Sequence, residues 1–177
     1  MRPVSAGLPD DSAYRAIILR ESNLVGYWPD GSGSTAPDLS TGAHNATING
    51  GKIGAEGVTP VSRAFYFTAG THYLDAGDQT SLEFPANGAF TLECLVANDR
   101  IIGGTIITKQ TGKSGYHFSM TAGGVIQCVR FNSGGSTQAL GTIVPLKGRW
   151  YHLAYTYDGA TAKVYLNGRE NASTANA

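Results

Sequence analysis

Four histidines, thirteen carboxylates and two cysteines are the groups in this chain with the reach for acid–base, nucleophilic or metal chemistry. Their spacing supports little of it. His44, His72, His117 and His152 fall in separate segments, and no Gly-x-Ser-x-Gly turn presents a serine for any of them to activate. Cys94 and Cys128 stand apart, without the second Cys or His at the spacing a zinc site needs. Among the carboxylates, Glu93 is the acidic residue that falls within a central strand pattern, Phe90-Thr91-Leu92-Glu93-Cys94-Leu95-Val96, on the face opposite the apolar side chains. Glycoside hydrolysis divides its acid and its base or nucleophile between two carboxyl groups about 5–9.5 Å apart. One carboxylate cannot fill both roles. Glu93 is therefore read as a solvated or hydrogen-bonded sheet residue, no catalytic residue is assigned, and the chain is expected to be non-enzymatic.

The elements that would position any site are strands. Trp150 to Gly159 and Lys163 to Gly168 form two alternating Tyr- and Val-rich runs around Asp158-Gly159, with Asn167-Gly168 marking the next turn. From Leu24 onward, about eleven such short runs are separated by Gly, Asn, Asp and Pro, which predicts an antiparallel β-sandwich. Period-two alternation predicts a core containing Phe67, Leu74, Phe90, Leu92, Cys94, Val96, Leu153, Val164 and Leu166. Cys94 is then a small hydrophobe in that core, with a disulfide to Cys128 left open. Ahead of the strands, Ser12 can cap a helix over residues 12–21 whose apolar residues are Tyr14, Ile17 and Ile18. The chain divides on this reading into residues 1–23, an arm with a short helix, and residues 24–177, the sandwich.

Composition narrows the partners. The chain has 177 residues, enough for one domain with its own core, and 13 basic against 13 acidic residues leave a formal charge of zero. Nucleic-acid binding is not expected, since no basic footprint is available to neutralise phosphates. No window approaches the roughly 20 apolar residues of a membrane span. Residues 1–24 lack the continuous apolar stretch of a secretory signal, being broken by Asp10, Asp11, Arg15, Arg20 and Glu21. Without export, the sequons at Asn45 and Asn171 are read as chance.

The order of these motifs resembles the laminin G-like domains of the concanavalin A-like group, which are jelly-roll sandwiches. The carriers are Leu24 to Trp28, the loop from Gly31 through Asp38 to His44 and Asn45, the strands at Phe65-Tyr66-Phe67 and Tyr73-Leu74-Asp75, Phe90 to Val96, Thr105 to Lys109, and the hairpin at Trp150 to Gly168. A further pattern, Tyr14, Ile18 and Leu19 leading to Val25, Tyr27 and Trp28, resembles laminin G-like domains of phage and prophage structural proteins. The carboxylate strand Glu-x-Asp-x-x-Glu of hydrolases sharing this sandwich does not occur.

The resemblance implies an all-β, antiparallel two-sheet jelly roll with a short N-terminal helix, used for binding. It implies a virion structural or attachment protein, a capsid decoration or tail appendage component at the virion surface, whose partners are other virion subunits or further copies of itself. The alternative is a glycan-binding module of a tail fibre or adhesin, extracellular in location, and a polysaccharide-degrading enzyme ranks third. Laminin G-like domains often hold calcium at a loop rim, and the matching positions here are Asp38 and Asn45, with Asp75 and Asp78 second. His152 lies in the hairpin strand as a structural histidine, and His44 is a polar turn residue. The family continues beyond its Asn-Gly hairpin for at least two strands, so the run from Asn171 to Ala177 implies missing strands and an open sheet edge, through truncation or because a neighbouring chain completes the sheet.

Overall fold

The computed structural model describes residues 11–59, 62–99, 103–111 and 114–176. It divides into two compact units, Met1–Leu82 and Glu83–Ala177, and residues 1–10 of the expected arm lie outside the described residues. Thirteen strands and one α-helix are present among the described residues, the strands pairing antiparallel throughout.

In the first unit, helix α1 spans Asp11–Ile18. It stops three residues short of Glu21 because the backbone tightens there, Arg20 N–H donating to Ile17 and Glu21 N–H to Ile18 in i→i+3 bonds. Tyr14 and Ile18 are half-buried, while Ile17, expected on the same apolar face, is 60% exposed. Strands β1 (Thr35–Ala36), β2 (Ala46–Asn49) and β5 (Tyr73–Asp75) make one sheet in the order β1-β2-β5. Strands β3 (Lys52–Glu56) and β4 (Arg63–Tyr66) make a separate hairpin with a register shift between Ile53 and Ala55. Phe67 does not reach a core. It follows the last residue of β4, where strand alternation no longer dictates its direction, and is 42% exposed with its ring stacked on Phe65. Leu74 is half-buried. The buried apolar residues described in this unit are Ala36, Ala46 and Leu82, so hydrogen-bonded loops carry more of its order than packing does.

The second unit is a two-sheet sandwich. One sheet runs β10-β9-β8-β7, from Gly135–Leu140 (β10), Ile126–Asn132 (β9), Ser114–Met120 (β8) and Gly104–Thr111 (β7). The other runs β13-β12-β11-β6, from Arg169–Ala175 (β13), Thr161–Leu166 (β12), Trp150–Tyr157 (β11) and Phe90–Ala97 (β6). Alternation turns Tyr116, Phe118, Ile126 and Cys128 of the first sheet toward Phe90, Leu153, Tyr155, Tyr157, Val164 and Leu166 of the second. Phe118 and Tyr155 meet across the gap with ring centroids 6.0 Å apart, and Phe90 stands edge-on to Tyr155 at 5.1 Å. Of the expected core, Phe90, Leu153, Val164 and Leu166 are buried, and Leu92, Cys94 and Val96 pack partly buried against them. Cys94 and Cys128 are free thiols in this core, and burial pushes each up to about 12, well above a reactive range.

The C-terminal run forms the edge strand of its sheet. Arg169–Ala175 pairs with β12 along its length, with a register shift between Val164 and Tyr165. Its edge is polar, carrying Arg169, Glu170, Ser173 and Thr174, the residue types that discourage edge-to-edge pairing. Two asparagines tie this C-terminal run to β10 and to the loop that follows it. Asn171 Oδ1 accepts from the Thr142 N–H at 3.3 Å and its hydroxyl at 3.2 Å, and Asn176 Oδ1 accepts from the Thr137 hydroxyl.

Candidate functional site

Two places concentrate polar side chains. The first is the loop from Asp38 to Asn45 in the first unit. Asp38 is buried, and its Oδ1 accepts N–H groups from Tyr27 at 2.8 Å and Ser40 at 2.9 Å. Its Oδ2 accepts the Ser40 hydroxyl and the His44 N–H, both at 2.9 Å, and lies 3.2 Å from His44 Nδ1. Asn45 Oδ1 accepts the Asp38 N–H at 3.0 Å, so the two residues face each other through the backbone. Ala43 adopts a left-handed conformation (φ 52°) that brings the His44 N–H back onto the carboxylate. Trp28 Nε1 donates to the His44 carbonyl at 2.8 Å, and His44 Nε2 lies 2.8 Å from the Ser81 hydroxyl. Burial by itself would raise the Asp38 carboxyl, but the N–H donors of Ser40, Tyr27 and His44 with the Ser40 hydroxyl outweigh it and hold Asp38 below its ordinary range.

The second is a shallow depression of about 440 Å³ on the outer face of the β10-β9-β8-β7 sheet, lined by Gln110, Phe131, Asn132, Ser133, Gly134, Gly135 and Ser136. Register explains it. Phe131 on β9 lies between Gly115 on β8 and Ser136 on β10, and Gly115 is in turn opposite Gln110 on β7. The half-buried Phe131 ring is thus flanked by a position with no side chain and one with a hydroxyl. Gly115 cannot be otherwise: its φ is 139°, and a Cβ there would collide with the Lys109 carbonyl oxygen. Asn132 shapes the rim, its Oδ1 accepting the Gly134 N–H at 3.0 Å in the β9–β10 turn. Every lining residue is uncharged.

The outer face of the other sheet carries a row Glu93–Ala154–Tyr165–Glu170 across β6, β11, β12 and β13. Glu93 Oε2 is 2.9 Å from His152 Nε2, and Glu170 Oε2 accepts from Lys163 Nζ at 2.9 Å. His152 is further held through its backbone N–H, which donates to Asn167 Oδ1 at 2.9 Å. With three strand intervals of about 4.8 Å between them, the Glu93 and Glu170 backbones are roughly 14 Å apart.

The profile of a laminin G-type family, described as the concanavalin A-like lectin/glucanases superfamily, matches residues 68–177, more than half of the chain. The chain belongs to that superfamily. No curated protein matches it. The two glutamates that share a sheet face are each engaged, Glu93 with the His152 imidazole and Glu170 with the Lys163 ammonium.

The superfamily's laminin G-like members imply calcium, and the residues expected to bind it do come together, but as hydrogen-bonding partners. Both oxygens of Asp38 already take two donors each, and Asn45 Oδ1 is directed at the Asp38 N–H. A calcium ion needs six to eight oxygens with free lone pairs, and this donor-rich loop does not fit it. Asp75 Oδ1 likewise accepts the Gly77 N–H at 2.8 Å, and no group of three or more acidic, His or Cys side chains is placed to hold a metal among the described residues. Adding millimolar calcium to the chelator-treated protein is accordingly expected to leave its thermal midpoint unchanged. A rise that Asp38→Asn abolishes would restore the metal reading.

The sequence patterns placed Asp38, Asn45 and His44 in one loop, where the structure joins them by hydrogen bonds, and His152 in the hairpin strand, where its link to Asn167 had no signal. They missed the Phe131 depression. Its lining comes from three strands and a turn with no shared motif, and only the register across β7, β8, β9 and β10 assembles it.

Proposed function

We propose that the chain is a non-catalytic binding module that takes an uncharged glycan at Phe131, and that it serves as an attachment or decoration component of a virion surface. The observation that carries the first part is the depression itself: an aromatic ring with bare backbone on one side, amide and hydroxyl groups around it and no charge. A sugar offers the complement, with an apolar ring face for Phe131 and hydroxyls for Gln110, Asn132, Ser133 and Ser136. Its volume falls within the range of ligand clefts, about 300–1,000 Å³. The separation and engagement of Glu93 and Glu170 support binding without hydrolysis. The virion setting rests on the resemblance carried by Tyr14, Ile18, Leu19, Val25, Tyr27 and Trp28, with other virion subunits or further copies of the chain as partners.

On a glycan array the protein is expected to retain one or more neutral oligosaccharides, and Phe131→Ala to weaken that binding by about tenfold or more. Retention unchanged by Phe131→Ala would remove this site. Release of reducing sugar by the wild type, lost in Glu93→Gln, would overturn the non-catalytic reading. An antibody to the chain that fails to decorate purified particles from its source would remove the virion setting.

A further inference from the structure

We propose that the loop joining β10 to β11 is an anchor for an anionic phospholipid surface. In this loop Ile143 is 52% exposed, Val144 40% and Leu146 57%. Soluble domains scatter exposed apolar side chains singly, whereas three within four residues span at most about 11 Å of chain and form a single patch. Leu140, at the end of β10, adds a fourth exposed apolar side chain on the approach.

The loop is held rather than loose. Gly141 N–H donates to Ile126, Thr142 to Asn171, Leu146 N–H to the Tyr151 hydroxyl at 3.0 Å and Gly148 N–H to Asn98 at 2.9 Å, while Pro145 is buried between the exposed residues. Apolar side chains on such a framework lose little freedom when they insert. The exposure is built in.

Charge selects the partner. Lys147 and Arg149 follow the apolar residues directly, both exposed, and neither pairs with a carboxylate among the described residues. The chain holds no acidic residue between Leu140 and Tyr157. An aliphatic tip followed by two cations and then the half-buried Trp150 matches the layers of a bilayer surface: acyl boundary, phosphate, and the interfacial zone that tryptophan favours. A protein partner fits less well, because protein interfaces favour aromatic residues and Met over Leu and Val and are depleted in Lys. The loop lies at the opposite end of β10 from the Phe131 depression, roughly 17 Å away along the strand. The two sites can therefore be tested separately.

The test is co-sedimentation of the full chain with vesicles of phosphatidylcholine alone and of phosphatidylcholine with phosphatidylserine. Binding is expected to the phosphatidylserine vesicles and to fall at high salt. Reversing both cations, Lys147→Glu with Arg149→Glu, removes attraction worth about fivefold per cation and adds repulsion, so a loss of at least about 25-fold is expected. Ile143→Asp with Leu146→Asp is expected to abolish sedimentation, while Phe131→Ala leaves it intact. All four substituted side chains are exposed, so the variants keep the wild-type melting midpoint, and the milder pair Ile143→Ser with Leu146→Ser provides a second measure. No binding to either vesicle, or binding indifferent to both pairs of substitutions, would overturn the proposal. So would concentration-dependent dimerisation in light scattering that Leu146→Asp removes, which would make the loop a contact between copies.

Discussion

Arg130→Ala lowers the unfolding free energy by about 3–5 kcal/mol, the range for emptying a fully buried site of a large side chain together with its charge-assisted hydrogen bonds. Arg130 is 0% exposed and lies on the inward face of β9, in line with Ile126 and Cys128. One arm of its guanidinium donates to the Phe84 and Pro85 carbonyls at 2.6 and 2.7 Å, and the other to the Gly115 carbonyl at 2.9 Å. The group is also stacked over Phe90 and Tyr157, 5.4 and 5.9 Å from their centroids. Removing it takes a charged donor from the Phe84, Pro85 and Gly115 carbonyls, of which Pro85 keeps the Gly88 N–H, and leaves a cavity between aromatic rings. Arg130→Lys recovers less than half of the loss, because a single ammonium cannot reproduce a planar fork that reaches two separate segments. Urea unfolding followed by near-ultraviolet circular dichroism checks the magnitude, and hydrogen exchange near residues 84–90 checks the mechanism. A wild-type urea midpoint in Arg130→Ala would show that the guanidinium does not clamp this segment.

Asp38→Ala is expected to cost about 2–4 kcal/mol, since it strips acceptors from the backbone N–H groups of Tyr27, Ser40 and His44 at once. The effect depends on pH with a definite sign. Asp38 is held below its ordinary value of 3.8, so its contribution is complete above about pH 4 and disappears as pH falls through the lower folded value. The stability gap between wild type and Asp38→Ala should thus be constant near neutrality and narrow in acid. Asp38→Asn retains part of the stability, because one amide oxygen still accepts, but loses the pH dependence. A gap that stays constant down to pH 2 would contradict the hydrogen-bonded carboxylate.

Much of the sandwich was legible because a strand's period of two is a local property. Phe90, Leu153, Val164 and Leu166 face the core for the same reason that Glu93, His152 and Lys163 face out, and the turns at Asp158-Gly159 and Asn167-Gly168 depend on residues that tolerate left-handed backbone. Asn167 has a φ of 51°, and the Asp158 carboxylate accepts the N–H groups of Ala160 and Thr161. The helix was legible in its existence and not in its end, since fraying into i→i+3 bonds leaves no distinct residue signal. Phe67 was misplaced because its strand ended one residue sooner than the alternation suggested.

Tertiary structure alone decided three matters. The parity that put Ile126 and Cys128 inside also put Arg130 there, a local conflict that only the Phe84, Pro85 and Gly115 carbonyls resolve, and those lie 15 to 46 residues away in the chain. The C-terminal run from Arg169 is too polar to announce a strand by itself, and it becomes one because β12 supplies its ladder and Asn171 and Asn176 find partners in the β10–β11 loop and on β10. Asp38 and Asn45 were named from the sequence as neighbours in one loop, yet whether their oxygens face outward to a cation or inward to N–H groups depends on where the backbone of Tyr27 and His44 comes to rest. Residue type sets what a side chain can bond to, and only the assembled backbone sets which partner is within reach.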